Sequence, residues 1–283
     1  MQKRIANKSY KKLTYRMMKQ SNQTSENRGR QRITADEIIA TMEDMTDEKQ
    51  REVLCRFFKT APGQYGEGDQ FLGIRVPATR MIVKEARLCV APDQIARLLE
   101  SPWHEIRLAG FLLLAEEMSA ALPRRGVDTP SLAAKRGEIA RFYLAHASRA
   151  NNWDLVDLSA PYIIGRWLLY PDADGKHPDR GILDTLASHS DLWHQRIGIV
   201  ATLALIRQGQ TADTLRIATR LLGHSHDLIH KATGWMLREV GKKDPGCLLE
   251  YLESHFRDMP RTALRYAIER LPEPQRLYWL KRQ

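Results

Sequence analysis

The stretch Arg196-Ile-Gly-Ile-Val-Ala-Thr-Leu203 shows the pattern that decides the fold: a polar residue opens an apolar, helix-length run containing small residues. Similar stretches begin 35 positions later at Lys231 and a further 31 positions later at Thr262, and an earlier one begins at Arg107. Intervals of roughly 30 to 47 residues are typical of two-helix repeats of the HEAT type. Because each repeat buries its apolar face on its neighbour, the pattern predicts an all-α, right-handed α-solenoid with a concave binding face. The alternative is an irregular helical bundle in which the similarities arise by chance.

Helix-start signals recur along the chain after its first 33 residues. Thr34-Ala-Asp-Glu37 is a capping box, and Ser101-Pro102 and Asp244-Pro245 each combine a capping residue with a proline at the first helical position. Strand signals are almost absent. Two longer polar breaks, at residues 122–130 and 172–179, are expected to be surface loops. We therefore expect one HEAT-like helical domain over residues 34–283.

The net charge of +10 is concentrated at the N-terminus. Residues 1–32 hold ten Lys or Arg and one acidic residue, whereas residues 33–283 hold 34 basic and 33 acidic residues. We expect residues 1–33 to form a basic, disordered arm. The arm either contacts phosphates electrostatically or is a solvated start upstream of Met17 or Met18. The near-neutral remainder binds a polyanion only if its cations gather on one face.

Composition also excludes several classes of protein. No apolar run approaches the ~20 residues of a membrane span, and the basic N-terminus is not followed by the apolar segment of a secretory signal. The three cysteines are far apart and outside any CxxC spacing, which fits reduced thiols. We therefore expect a cytoplasmic protein without membrane association. The absence of a heptad seam favours a monomer.

The segment Asn151 to Asp157 carries the clearest candidate for chemistry. Trp153 and Asp157 are four residues apart, so on an α-helix both side chains lie on one face. A carboxylate beside an indole suits a cation. Asp154 points about 100 degrees away from Trp153, so we assign it to helix-start electrostatics or to positioning a backbone amide. The structural alternative for Asp157 is a salt-bridge partner on a helix surface.

Five motifs follow one another along the chain. They are Phe71-Leu-Gly-Ile-Arg-Val-Pro77, His104-Glu-Ile-Arg-Leu108, Trp153-Asp-Leu-Val-Asp157, Leu192-Trp-His-Gln-Arg196 and Lys231-Ala-Thr-Gly-Trp-Met-Leu-Arg-Glu239. Over about residues 35–280 they resemble the AlkD-like family of bacterial DNA alkylation-repair glycosylases. The resemblance implies a HEAT-like solenoid with a concave DNA-binding face that removes N3- and N7-alkylated purines. By position it implies that Asp157 is the catalytic carboxylate and that Trp153 and Trp235 flank it.

Candidate contacts to the DNA backbone come partly from the same resemblance. It implies that Arg196 contacts the backbone beside the lesion and that Arg238 does so nearby. Lys242, Lys243, Arg107 and, less directly, Arg75 are further candidates for phosphate contacts. For Arg107 the alternative is a partner between repeats, because it lies in the first turn of an apolar helix. The expected partner is double-stranded DNA that carries alkylated purines.

The chemistry also follows from the leaving group. A purine with a positive ring departs as a neutral base, so one carboxylate can replace the usual catalytic pair of a glycosidase. Asp157 would stabilise the oxocarbenium-like transition state and orient a water, while Trp153 and Trp235 attract the cation by about 0.5 to 2 kcal/mol each. This predicts a monofunctional DNA glycosylase without a cofactor. The alternative is a non-catalytic HEAT-like module that binds distorted or branched DNA or a protein; retention of these three residues favours the enzyme.

Two further features concern a metal site and the surface that faces DNA. His224, His226 and His230 include an i,i+4 pair, but no Cys or second-shell acid follows at metal spacing, so no metal site is expected. In some relatives aromatic residues precede the Lys231 motif, where this chain has His226-Asp-Leu-Ile229. Tyr65, Phe71 and the loop at residues 66–68 either supply a replacement surface or, for the loop, form an ordinary turn.

Overall fold

The computed structural model describes residues 32–282, and this part of the chain is helical, with no named strand. The all-α prediction is confirmed for these residues. The predicted basic arm lies outside the described residues except for Arg32 and Ile33. None of the described helices combines the length and the apolar character that crossing a membrane requires.

The chain divides into two compact units where the sequence predicts one domain. Among the described residues, the first unit comprises residues 32–120 and Arg149–Leu155, and the second comprises Ala121–Ser148 and residues 156–282. The segment at residues 149–155 is attached within the first unit, where the Arg149 side chain donates to the carbonyl oxygen of Leu99 at 2.9 Å.

The first unit is built around one long buried helix. Its helices are α1 (Ala35–Glu43), α2 (Glu48–Phe57), α3 (Val76–Ala86), α4 (Pro92–Leu99) and α5 (His104–Ala120). Helix α5 packs against α3 and α4, and α4 packs against α1. Most of α5 is buried around its whole circumference, as expected for a helix at the centre of a core. The predicted capping box at α1 is confirmed, since Glu37 N donates to Thr34 and Thr34 N donates to the Glu37 carboxylate.

The second unit contains the remaining helices. They are α6 (Pro130–Ala145), the end of α7 (Trp153–Asp157), α8 (Gly181–Ala187), α9 (Leu192–Val200), α10 (Leu203–Arg207), α11 (Ala212–Arg220), α12 (Asp227–Lys243), α13 (Pro245–His255), α14 (Arg261–Ala267) and α15 (Glu273–Lys281). A 3₁₀ turn at Ala147–Arg149 and a π-helical segment at Pro161–Gly165 flank α7. Both predicted polar breaks are loops, before α6 and before α8.

Helix α12 is the centre of the second unit and packs against α9, α10, α11, α13 and α14. Two glycines of the repeated stretches lie at helix crossings, Gly234 between α12 and α14 and Gly198 between α9 and α8. A Cβ atom on Gly234 would collide with the Ala263 carbonyl oxygen of α14, and one on Gly198 would lie 2.9 Å from the Ala187 nitrogen of α8. Glycine therefore permits the close packing of successive helices, which is consistent with the predicted α-solenoid. The handedness and the concave face stay predictions.

Two of the five motifs meet in the first unit. The backbone N–H groups of Leu72, Gly73 and Ile74 donate to the Glu105 carboxylate at 2.9, 2.9 and 3.0 Å. Gly73 has a φ of +88°, and a Cβ there would collide with the Asp47 carbonyl oxygen. A buried carboxylate on α5 thus satisfies three amides of an irregular loop, which needs glycine at its centre.

Candidate functional site

Helix α7 carries two of the three predicted catalytic residues, and the predicted helical spacing is confirmed. The helix runs from Trp153 to Asp157. Both end residues are partly exposed, whereas Leu155 between them is fully buried. The start of the helix is fixed by Asn152, whose side-chain oxygen accepts from Trp153 N at 2.9 Å. Trp153 belongs to the first unit and Asp157 to the second.

In the second unit, Asp157 is held by Arg196 of α9. The Arg196 Nε and Nη2 atoms donate to the two carboxylate oxygens, each at 2.9 Å. The third nitrogen, Nη1, donates to the Leu228 carbonyl oxygen at 2.6 Å. The Asp157 side chain is 15% exposed, so it is partly accessible to solvent. A bidentate guanidinium fixes the orientation of the carboxylate and balances its charge.

A neutral phenol lies close to the same carboxylate. Tyr143 is fully buried, and its hydroxyl forms a 3.0 Å hydrogen bond with Ser159. Burial raises the pKa of Tyr143, and the charge of Asp157 raises it further, against a lowering by the Ser159 hydrogen bond. Tyr143 therefore stays protonated at every physiological pH and adds no charge beside Asp157.

Two arginines predicted to contact DNA are buried in the protein. Arg196 is 5% exposed and uses all three of its nitrogen atoms in the contacts described above. Arg107 is 3% exposed; its Nη2 donates to Asp69 at 2.5 Å, and its Nη1 donates to the carbonyl oxygens of Ser101 and Pro102. These positions do not support phosphate contacts. For Arg107 they match the alternative of an internal structural partner.

Helix α12 carries the other predicted residues. Trp235 is half-buried, and Arg238 and Lys242 follow it by three and seven positions, so the three lie along one stripe of the helix. Arg238 pairs with the Glu269 carboxylate, and the Lys242 Nζ atom lies 2.6 Å from Glu239. Lys242 and its neighbour Lys243 are exposed at the end of the helix. The lysines are therefore placed where a phosphate can reach them.

The first unit contains a buried polar cluster that the sequence does not reveal. We call Asp69, His104, Arg107, Asn152 and Asp154 the His104 network. His104 Nδ1 lies 2.7 Å from Asp69, and His104 Nε2 lies 2.9 Å from Asp154. The Asn152 amide donates to Asp69 at 3.1 Å. Asp154 lies in the first turn of α7, and it is also a buried partner of a histidine on α5, a role that its assignment to helix-start electrostatics or to positioning a backbone amide did not include.

Charges in the His104 network compensate one another. Burial by itself lowers the pKa of His104, but Asp154 and Asp69 outweigh burial and raise it to about 9. Burial raises the pKa of Asp69, while His104 and Arg107 lower it by more, so the net shift is downward. His104 is therefore an imidazolium at neutral pH, and each of its ring nitrogens donates to an aspartate side chain.

Aromatic rings connect Trp153 to this network. The Trp153 ring stacks on Phe58 with centroids 5.4 Å apart, Phe58 stacks on Phe71 at 5.0 Å, and Phe71 stacks on His104 at 4.5 Å. Phe71 is fully buried, so the suggestion that it supplies a replacement surface for DNA is wrong. The exposed ring beside Trp153 is instead Phe57, which is 60% exposed and lies edge-on to Trp153 at 5.9 Å.

Histidines near α12 bond to backbone and side-chain groups of the protein. His226 caps α12 by accepting from Leu228 N at 3.1 Å, His230 bonds to the His224 carbonyl oxygen, and His224 bonds to Gln195. Burial lowers the pKa values of His224 and His226.

A second group, which spacing did not single out, brings possible ligand atoms of His189, Asp191 and His194 within 4.8 Å of one another. The two imidazole rings are stacked at 4.0 Å with an interplanar angle of 18°, and His194 Nδ1 lies 2.8 Å from the Asp191 carboxylate. Asp191 accepts from Trp193 N and His194 N at the start of α9. We therefore assign the group to capping of α9.

Comparisons with known proteins agree with the sequence resemblance. The profile of a family described as "DNA alkylation repair enzyme" matches residues 38–271. A comparison with curated proteins gives no significant match. Among solved structures, the chain is similar to the "Predicted DNA alkylation repair enzyme from Enterococcus faecalis", with a TM-score of 0.55 and 15% identity over 81% of this chain and 97% of that chain. At this identity the likeness concerns the fold alone. Because the family profile spans most of the chain, the protein belongs to the DNA alkylation repair enzyme family and acts in the repair of alkylated DNA.

Proposed function

We propose that this protein is a monofunctional DNA glycosylase that hydrolyses the N-glycosidic bond of cationic N3- and N7-alkylated purines in duplex DNA. The observation that carries the proposal is the Asp157 carboxylate, which is partly exposed and fixed by both ends of the Arg196 fork. A carboxylate held in one orientation needs no rearrangement when positive charge develops beside it.

The reaction requires stabilisation of a sugar cation more than protonation of the base. As the bond between C1′ and the purine nitrogen breaks, its electron pair moves onto the positively charged ring, and the base leaves neutral. The sugar then carries the positive charge of an oxocarbenium ion. Asp157 stabilises this charge and orients a water, whose oxygen bonds to C1′ and whose proton is released to the carboxylate or to solvent.

Trp153 and Trp235 are proposed to attract the cationic nucleotide through their indole faces, at about 0.5 to 2 kcal/mol each. The Trp153 ring is partly exposed, stacks on Phe58, and lies edge-on to Phe57, which is 60% exposed. Trp235 is half-buried on α12, where its indole is partly accessible.

Contacts to the DNA backbone are proposed for Lys242, Lys243 and Arg238, which lie at or near the surface of α12. We do not assign phosphates to Arg107 or Arg196, because their guanidinium groups are buried and bonded within the protein. In this proposal Arg196 is a positioning residue for Asp157.

One observation favours the second candidate, a non-catalytic module that binds distorted or branched DNA. An aspartate with a purely structural role can form the same salt bridge that Asp157 forms with Arg196. In that case Trp153 and Trp235 belong to a recognition surface and no bond is cleaved.

The experiment that tests the proposal measures chemistry and binding on the same substrate. The protein is incubated with a duplex that contains one 7-methylguanine, free base is measured by mass spectrometry, and duplex binding is measured by fluorescence anisotropy. An undamaged duplex and a protein-free sample correct for spontaneous depurination. Enzymatic release that leaves an intact strand with an abasic site supports the glycosylase. Tight binding without release above the protein-free sample supports the binding module.

A further inference from the structure

The first turn of α7 is attached to the His104 network at two points. Asp154 is bonded to His104 Nε2, and Asn152 donates to Asp69, which in turn bonds His104 Nδ1. Trp153 lies between these two residues in the sequence, and its backbone N–H donates to Asn152. The backbone that carries the Trp153 ring is therefore anchored on both sides to one imidazole.

The side chain of Trp153 reaches the same imidazole by a second path. Its ring rests on Phe58, and both Phe58 and Phe71 contact the His104 ring, at 4.9 and 4.5 Å between centroids. His104 thus supports both the backbone and the indole of Trp153.

We propose that His104 is a positioning residue for base excision: by bonding Asp69 and Asp154 together, it holds the first turn of α7 so that the Trp153 indole keeps one orientation. The proposal rests on the proposed function, because the orientation of Trp153 matters for catalysis only if this indole contacts the cationic nucleotide.

Histidine is well suited to this role because its two ring nitrogens donate in opposite directions. Within the described residues, the Oδ2 atom of Asp154 bonds to His104, whereas its Oδ1 atom is buried without a hydrogen-bond partner. Removing His104 would leave a buried carboxylate without any partner, and breaking such a pair strongly destabilises the local structure. Movement of the first turn of α7 toward solvent would hydrate the Asp154 carboxylate, and Trp153 would move with that turn.

The charged groups that face His104 come from several elements. Asp69 precedes the Phe71 loop, Asp154 comes from α7, and Arg107 comes from the same helix as His104 and bonds Asp69. Glu105 is turned toward the backbone amides of residues 72–74. Loss of the proton from His104 would place a ring lone pair against one of the two carboxylates. The arrangement therefore holds while the imidazole is charged, up to a pH near its pKa of about 9.

The test uses fluorine NMR of the full chain labelled with 5-fluorotryptophan. The chain has six tryptophans, and the Trp153 signal is identified by its disappearance in Trp153→Phe. His104→Gln and Asp154→Asn are compared with the control His255→Gln, in which the replaced histidine stacks on Tyr251 in the second unit. We expect the Trp153 signal to shift or split in both test variants and to stay unchanged in the control. In the wild type it should shift as the pH rises through about 9.

Kinetics supply the functional half of the test. Under single-turnover conditions we expect base release by His104→Gln and Asp154→Asn to be about tenfold to a hundredfold slower, because a displacement near 1 Å is sufficient for such a loss. The dissociation constant for an undamaged duplex, which has no cationic nucleotide, should change less than about twofold, and the double variant should be no slower than the slower single variant.

The proposal is overturned if the Trp153 signal stays at its wild-type position in both folded variants. It is also overturned if both variants release base at the wild-type rate. If His104→Gln does not fold, the nearly isosteric Asp154→Asn decides. Failure of the proposed function is seen separately: a wild type that releases no base removes the catalytic role, and the fluorine spectra then decide whether His104 orients Trp153.

Discussion

Removal of the Arg196 guanidinium is expected to destabilise the second unit by about 3 kcal/mol. Arg196→Met keeps the length of the side chain but leaves Asp157 without its bidentate partner and the Leu228 carbonyl oxygen without its donor. Breaking a fully buried ion pair costs about 3 to 5 kcal/mol. Because Asp157 is 15% exposed and regains some hydration, the lower part of this range applies. For a chain of this size, such a loss lowers the unfolding temperature by about 10 °C.

The assay is a double-mutant cycle in which Arg196→Met, Asp157→Asn and the double variant are compared by urea and thermal unfolding. We expect a coupling energy of about 2 kcal/mol between the two residues, since they form one bidentate contact. The matched control is Arg220→Met, whose 48% exposed side chain pairs with Asp184 and should contribute less than about 1 kcal/mol. If Arg196→Met costs no more than Arg220→Met, or if the coupling is below about 0.5 kcal/mol, the Arg196 fork does not hold Asp157 as we infer.

Three further outcomes are expected. The folded-state pKa of His104 is raised from 6.5 to about 9, so the stability that its charged form contributes is complete below pH 6.5 and is lost as the pH rises through about 9. Thermal unfolding over this range should show that the free energy of unfolding falls by roughly 3 kcal/mol in the wild type and not in His104→Gln. The same pH dependence in both proteins would contradict this. The double variant Lys242→Ala/Lys243→Ala should reduce the slope of log K against log salt for duplex binding by the equivalent of about two phosphate contacts, without changing the unfolding temperature. An unchanged slope would exclude these lysines from the interface. Gly234→Ala should lower the free energy of unfolding by about 1 to 3 kcal/mol, because the added Cβ would collide with α14. The control is Gly223→Ala, where a Cβ meets nothing within 4 Å. Equal stabilities of the two variants in urea unfolding would argue against the close helix crossing at Gly234.

Local patterns in the sequence were sufficient to predict the all-α class and several helix starts, but the start predicted at Ser101-Pro102 is wrong, because α5 begins at His104. The capping box at Thr34 and the polar-to-apolar stretches act within a few residues, so their geometry is already implied by spacing. The same holds for α7, where Trp153 and Asp157 do lie four residues apart on one helix. Gly198 and Gly234 show why the repeated stretches contain small residues, although contacts between helices were needed to identify their neighbours.

The partners of the charged side chains could not be predicted in the same way. Arg196 and Arg107 meet carboxylates 39 and 38 positions away along the chain, and His104 meets Asp154 across 50 positions. An arginine in the first turn of an apolar helix looks the same in sequence whether it faces a phosphate or a buried aspartate. Helix geometry predicts that Asp154 points away from Trp153, but its buried histidine partner depends on tertiary packing. The catalytic roles of Asp157, Trp153 and Trp235 stay predictions.

The most direct test of the central claim is the single-turnover rate of 7-methylguanine release by Asp157→Asn, measured with duplex binding on the same samples. Asp184→Asn is the matched control, because Asp184 also pairs with arginines but lies on α8 outside the proposed site. We predict a loss of about 100-fold or more in Asp157→Asn, with binding retained and with wild-type release by Asp184→Asn. Release by folded Asp157→Asn at the wild-type rate would contradict the assignment of Asp157 as the catalytic carboxylate.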